Sequence, residues 1–280
     1  MKTSGSVSDW FDDLGDRGDD DPAWLVFADY LETLGDHRGE LIQLEARLAA
    51  MPADDPQRVE VARRIVQLTH ARPWLAPLLA LGLGARFEFR RGFAVAMTGR
   101  FPAATLRDRE LVAAAPLLHT AALSVHGQAE RVEVARPHGT AVLERLDALA
   151  LTGRHAGNTR NAQGPIIDPD ALARVAFRRL RRLELTRLRI TVDGLRGLLA
   201  SPHLGQVEHL ALRLRLDRAD LARVVGDLAL PALRSLDLTR NEVDDAVLDR
   251  LAASPAGARL DRLAVDGRVL QFTPARAPTR

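Results

Sequence analysis

The sequence predicts an α/β chain in two parts, a solenoid of parallel strands and helices preceded by a small α-helical N-terminal domain. Three observations lead there. A short apolar-x-apolar pair recurs six times at a near-constant interval after residue 120, helical periodicity fills the intervals, and the first 85 residues read as helices.

The six pairs are Leu123-x-Val125, Leu149-x-Leu151, Leu183-x-Leu185, Leu210-x-Leu212, Leu236-x-Leu238 and Leu263-x-Val265, spaced by 26, 34, 27, 26 and 27 residues. Five of them have an apolar residue three places earlier (Leu146, Leu180, Val207, Leu233 and Leu260), whereas Thr120 holds that place in the first. Each pair predicts a short strand with its leucines on one face and the intervening residues on the other.

Leu233-Arg-Ser-Leu236-Asp-Leu238-Thr-Arg-Asn241-Glu-Val243 matches L-x-x-L-x-L-x-x-N-x-L, so residues 117–272 resemble the leucine-rich-repeat family. The unit of about 27 residues, one strand and one helix, is similar to the ribonuclease-inhibitor-like class of these repeats. The resemblance implies strands on a concave side, helices on a convex side, and a working concave surface. It also implies an asparagine that ties neighbouring turns together. Only Asn241 supplies one, the matching places holding Gln128, Arg154, Leu188, Arg215 and Arg268.

Between strands, Val192–Leu199 and Val243–Leu251 place apolar residues three and four apart, with Asp193 and Asp244 as the expected N-caps. Ser201-Pro202 and Ser254-Pro255 stop these helices. The longest spacing holds a polar insertion, 153–164, which reads as a loop at the rim.

In the N-terminal part, residues 21–34 predict a helix with Asp21 as N-cap, Pro22 in its first turn and Gly35 after its last. Trp24, Leu25, Phe27, Ala28, Leu31 and Leu34 form its apolar face. A second helix is expected over 40–48 and a third over 56–69, the latter with Val59, Ala62, Ile65, Val66 and Leu68 apolar. The run from Leu25 to Leu44, with its core Ala28-Asp-Tyr-Leu-x-x-x-Gly35-Asp36-x-Arg38-Gly39-Glu40, resembles the bacterial repeat-companion domain, and Arg90-Arg91-Gly92-Phe93 matches a later element of it. That resemblance implies architecture and carries no activity with it. The expected divisions are a flexible acidic lead-in over 1–20, the helical domain over 21–85, the solenoid over 86–272 and a flexible tail over 273–280. Asp36 and Arg38 are read as fixing the turn between helices, with Asp29 paired to an arginine.

Chemistry is conspicuous by what the residues exclude. There is no cysteine, so disulfides, thiolate catalysis and cysteine-ligated zinc are excluded, which suits a reducing cytoplasm. The most apolar stretch, 74–83, is broken by Pro77 and Gly82 and is too short to span a bilayer, so no membrane association is expected. Eight scattered histidines form neither H-x-x-x-H nor H-E-x-x-H, and no phosphate loop, dinucleotide fingerprint or nucleophile elbow occurs. The expectation is a non-enzyme with no cofactor and no metal, found in the cytoplasm.

Charge is uneven although the net is only +2. Residues 1–60 carry 15 acids against 5 bases, and the excess of arginine lies downstream. The expected function is a scaffold for an unknown protein or peptide partner, bound on the concave face and the 153–164 loop. The residues expected to meet that partner are His126, Thr152, Arg154, His155, Arg182, Glu184, His209, Arg213, Asp237, Arg262 and Asp266. The alternative is nucleic-acid binding through the arginine-rich 174–189 segment, since a basic stripe is the usual electrostatic footprint of phosphate recognition.

Overall fold

The computed structural model describes residues 10, 11, 14, 22–71, 73–101, 108–126, 131–132, 140–154, 165–266 and 268–271. The chain is α/β. Its strands are β1 (Arg86–Arg90), β2 (Phe93–Phe101), β3 (Thr120–His126), β4 (Arg131–Val132), β5 (Ala148–Arg154), β6 (Ile166–Ile167), β7 (Arg182–Thr186), β8 (His209–Arg213), β9 (Ser235–Asp237), β10 (Arg262–Val265) and β11 (Arg268–Gln271). Nine of them form one open sheet in the order β1-β2-β3-β5-β7-β8-β9-β10-β11, and β4 pairs with β6 apart from it. Pairing is parallel from β3 through β10, and β11 turns back antiparallel onto β10. By contact the chain divides into two compact units, one of Met1–Ala96 with Glu110–Leu118, the other of Met97–Arg109 with His119–Arg280.

The first unit is built on helices α1 (Ala23–Thr33), α2 (Arg38–Ala50) and α3 (Arg58–Ala71). The α1 face that goes inside is Trp24, Phe27, Ala28 and Leu31, narrower than expected, because Leu25 and Leu34 remain exposed. Likewise α3 buries Val61 and Leu68 and leaves Val59 and Val66 in solvent. Pro22 occupies the N-cap place of α1 with no side-chain cap bond, and Asp21, the expected cap, lies outside the described residues.

The end of α1 follows its sequence closely. Gly35 has φ +70°, its N–H donates to Glu32 O, and the Asp36 N–H donates to Leu31 O, the paired bonds of a Schellman cap. Asp36 then accepts both the N–H and the guanidinium of Arg38, which fixes the turn. Asp29 departs from expectation: its carboxylate accepts from Gln43 Nε2 at 2.9 Å rather than from an arginine. At Gly39 a Cβ would lie 2.6 Å from Ala28 O, so glycine is what lets α2 approach the α1 backbone.

Residues 25–44 and 90–93 meet in this unit. β1 and β2 are joined by Arg91-Gly92, both at positive φ, as tight hairpin turns require. Phe93 enters the core and the Arg38 guanidinium lies 4.2 Å above its ring centroid. Phe11 and Leu14 stand among acids in the stretch expected to be a flexible lead-in. Both are buried in the same core as Trp24, Phe27 and Phe93.

In the second unit the apolar pattern becomes a stacked core. Leu149, Leu151, Leu183, Leu185, Leu212 and Leu263 are fully buried, as are Leu146, Leu180, Val207, Leu233 and Leu260. Burying each such side chain is worth roughly 1.5–3 kcal/mol. Registers follow the sequence alignment from Leu149↔Leu183 through Leu210↔Leu236 and Leu236↔Leu263.

The first pair is the exception. β3 aligns Ala121 with Leu149 and Leu123 with Leu151, two residues from the sequence reading. The shift removes the anomaly at Thr120, because Leu118, buried, now fills the place three before Ala121. A shift of two preserves which face each side chain takes, so Ala122 and Ser124 stay on the half-exposed side.

Between strands lie helices α4 (Pro169–Ala173), α5 (Val192–Leu199), α6 (Arg218–Gly226) and α7 (Asp245–Ala253), each touching the next. Asp244 caps α7 by accepting the Val247 N–H at 3.0 Å, as expected. α5 is capped by Thr191, whose Oγ1 accepts from Gly194 N at 3.2 Å, and not by Asp193, which lies within the first turn and pairs with Arg196.

Successive strands are tied at their starts by one repeated device. The carbonyls of His119, Asp147, Arg181, Glu208 and Arg234 each accept two consecutive N–H groups from the next strand's first residues. Asn241 adds a second tie where it stands. Its amide donates to Leu212 O and Leu238 O, and its Oδ1 accepts from Leu216 N.

Candidate interaction surface

Strand alternation sends one set of side chains to the half-exposed face of the second unit's sheet. Parallel register then lines them up across strands. Arg182 stands beside His209, His209 beside Ser235, and Ser235 beside Arg262, in one row across β7, β8, β9 and β10. Two residues along each strand a second row reads Glu184, Ala211, Asp237 and Ala264, with Val269 of β11 beside Ala264. These residues, with Arg213, line a depression of ≈ 310 Å³.

The charges there are organised around Arg213. Its Nε lies 3.0 Å from Asp237 Oδ2 and its Nη1 3.7 Å from Glu184 Oε2, so one guanidinium spans two acids on flanking strands. Asp237 also accepts the Thr239 N–H at 2.9 Å and the Thr239 hydroxyl at 2.7 Å. Burial pushes the Asp237 carboxyl up, but the bonds from Arg213 and Thr239 outweigh it and hold the group below its ordinary range. In turn the bond with Asp237 raises Arg213. Both acids are thereby engaged. Arg182 reaches Glu184 only at 4.0 Å, with its side chain 55% exposed, and Arg262 is exposed, its guanidinium making no ion pair or hydrogen bond among the described residues. The surface presents guanidinium, imidazole and hydroxyl donors, and its carboxylates are paired with Arg213.

Of the expected contact residues, Arg182, Glu184, His209, Arg213, Asp237 and Arg262 gather in this depression. Thr152, half-buried, and Arg154, exposed, lie on β5 outside its lining. His126 is placed only by its strand register, opposite Arg154, and His155 lies outside the described residues. Asp266 sits in the turn after β10 with φ +43°, exposed and off the lining. Sequence reasoning missed Val269: β11 carries Val269 and Leu270 side by side, both exposed, so no alternation marked it as a strand.

The arginine-rich run disperses in the fold. Arg178 faces Glu144 at 3.9 Å, Arg179 bonds Asp147 at 3.0 Å and Arg181 faces Glu208 at 3.7 Å, each acid belonging to a neighbouring strand–helix unit. Arg174, Arg187 and Arg189 are exposed. Among the described residues no group of three or more His, Asp and Glu could hold a metal ion, and no helix is long and apolar enough to cross a membrane. No protein-family model matches the chain, and neither a curated protein nor a solved structure is significantly similar to it.

Proposed function

We propose that this chain is a non-catalytic interaction scaffold, a leucine-rich-repeat solenoid behind a repeat-companion domain, whose strand-lined face binds a protein or peptide partner in the cytoplasm. The observation that carries the reading is the convergence of Arg182, Glu184, His209, Arg213, Asp237 and Arg262 on one depression. They come from separate units of the sequence and meet because the register is kept across four strands. A prearranged Arg213–Asp237 pair costs little further ordering on binding, and the looser arginines supply attraction and selectivity. The close pairing of Arg179 with Asp147 at 3.0 Å takes one charge of the arginine-rich segment out of the nucleic-acid reading, and the remaining arginines do not converge on one depression as the face residues do.

Affinity capture from native lysate with wild type and with Arg182→Glu/Arg262→Glu tests this. Arg213 is left in place because reversing it would set three acids together. A partner held by wild type and lost by the double variant, and rebuilt as a complex from purified components, is the expected result. Equal recovery by both would remove the face from consideration, and recovery abolished by nuclease would favour nucleic acid.

A further inference from the structure

We infer that the row Arg182–His209–Ser235–Arg262 is a recognition track for an extended acidic peptide that runs across the strands, with two carboxylates four residues apart; this rests on the interaction-surface reading above. The row contains donors and no acid. Its two ends are arginines, and the neighbouring acids Glu184 and Asp237 are occupied by Arg213. What the row lacks is a matching set of acceptors.

Geometry narrows the ligand further. Arg182 and Arg262 are three strand spacings apart, which sets their backbones about 14 Å from one another. In an extended peptide, residues i and i+4 point the same way and lie about 13 Å apart. Carboxylates at those two positions therefore meet both guanidiniums together, while the residue midway between them faces His209 and Ser235. Adjacent acids would point to opposite sides and engage only one end. A nucleic-acid strand fits less well: no Phe, Tyr or Trp stands in either row for bases to stack on.

The probes are two fluorescein-labelled peptides of equal charge and composition, T-E-T-T-T-E-T and T-T-E-E-T-T-T, titrated with the full chain by fluorescence anisotropy. The spaced peptide is expected to bind about tenfold more tightly, the worth of one additional charge-assisted hydrogen bond. Arg182→Ala and Arg262→Ala, each alone, should erase the preference, and Arg250→Ala, exposed on α7 and outside the depression, should keep it. Both row arginines are exposed, so their loss leaves the fold intact, which circular dichroism checks. Equal affinity for the two peptides, a preference that survives loss of Arg262, or tighter binding of an eight-residue oligothymidylate would each overturn the track. If the track fails while capture of a native partner still depends on Arg182 and Arg262, the face binds by another spacing. If neither depends on them, both readings fall.

Discussion

In the first unit one ring, Phe27, touches five others, Trp10, Phe11, Trp24, Tyr30 and Phe93, at centroid distances of 5.5–6.4 Å. In the second unit the buried side chains are mostly leucine and valine repeated strand after strand, with Phe177 as the aromatic among the described ones. The first core is a single interlocked cluster in which each ring has its own neighbours. The second is a column in which every layer resembles the next. A defect should therefore spread through the first unit and stay local in the second.

The sharpest test sets Phe27→Ala beside Leu185→Ala, both sites being fully buried. Phe27→Ala is expected to cost about 3–5 kcal/mol and Leu185→Ala about 2–5 kcal/mol. Hydrogen exchange separates them better than the total. The first variant should lose protection across α1, α2 and β2 together. The second should lose it on β5, β7 and β8, with β10 still protected. Loss extending to β10 in Leu185→Ala would show that the column is as interlocked as the aromatic cluster.

The same contrast explains what could be read in advance. The leucine column was legible because a repeated core writes its period into the chain, and strands β5, β7, β8, β9 and β10 fall where the period puts them. The one slip, at β3, came from Leu123 and Val125 imitating the pair while Ala121 held the leucine place. An aromatic cluster has no period. Phe11 and Leu14 lie among acids and share no spacing with Phe93, so nothing local joined them to that core. Within the surface, the outward residues could be named from alternation alone. Which charges cancel could not, because Arg213 reaches Glu184 and Asp237 diagonally between strands rather than along one.

Asn241 measures how much the column depends on an asparagine at that place of the pattern. Asn241→Ala would leave the Leu216 N–H and two carbonyls without the side chain at a site only 6% exposed. The expected loss is about 2–3 kcal/mol, read from the urea midpoint at an unchanged slope. Arg215→Ala, at the matching but exposed place of the preceding unit, should change stability by less than about 0.5 kcal/mol. Equal losses would mean that the doubled backbone bonds at the strand starts, and not Asn241, hold these turns.

The smallest expected effect sets one carboxylate of each unit against the other. For Asp36 burial raises the pKa, but the side-chain and backbone bonds from Arg38 outweigh it and the value falls below the ordinary 3.8. Asp108, in the second unit, is 4% exposed and accepts the N–H groups of Ala141 and Val142. There burial dominates, those two bonds oppose it, the charge of Glu144 adds to it, and the value lies above 3.8. The signs are therefore opposite. The Asp36 contribution is present above pH 3.8 and disappears as the pH falls through its folded value. The Asp108 contribution is complete below pH 3.8 and disappears as the pH rises through its folded value. Asp36→Asn should thus flatten the acid limb of stability below pH 3.8, and Asp108→Asn should remove a decline that wild type shows just above it. Carboxyl carbon shifts followed from pH 2 to 7 check both midpoints directly. If the two carboxyls titrated together, the cap that Asp108 gives to residues 141–145 would be as well compensated as the Asp36–Arg38 turn, and the electrostatic difference between the two units would vanish.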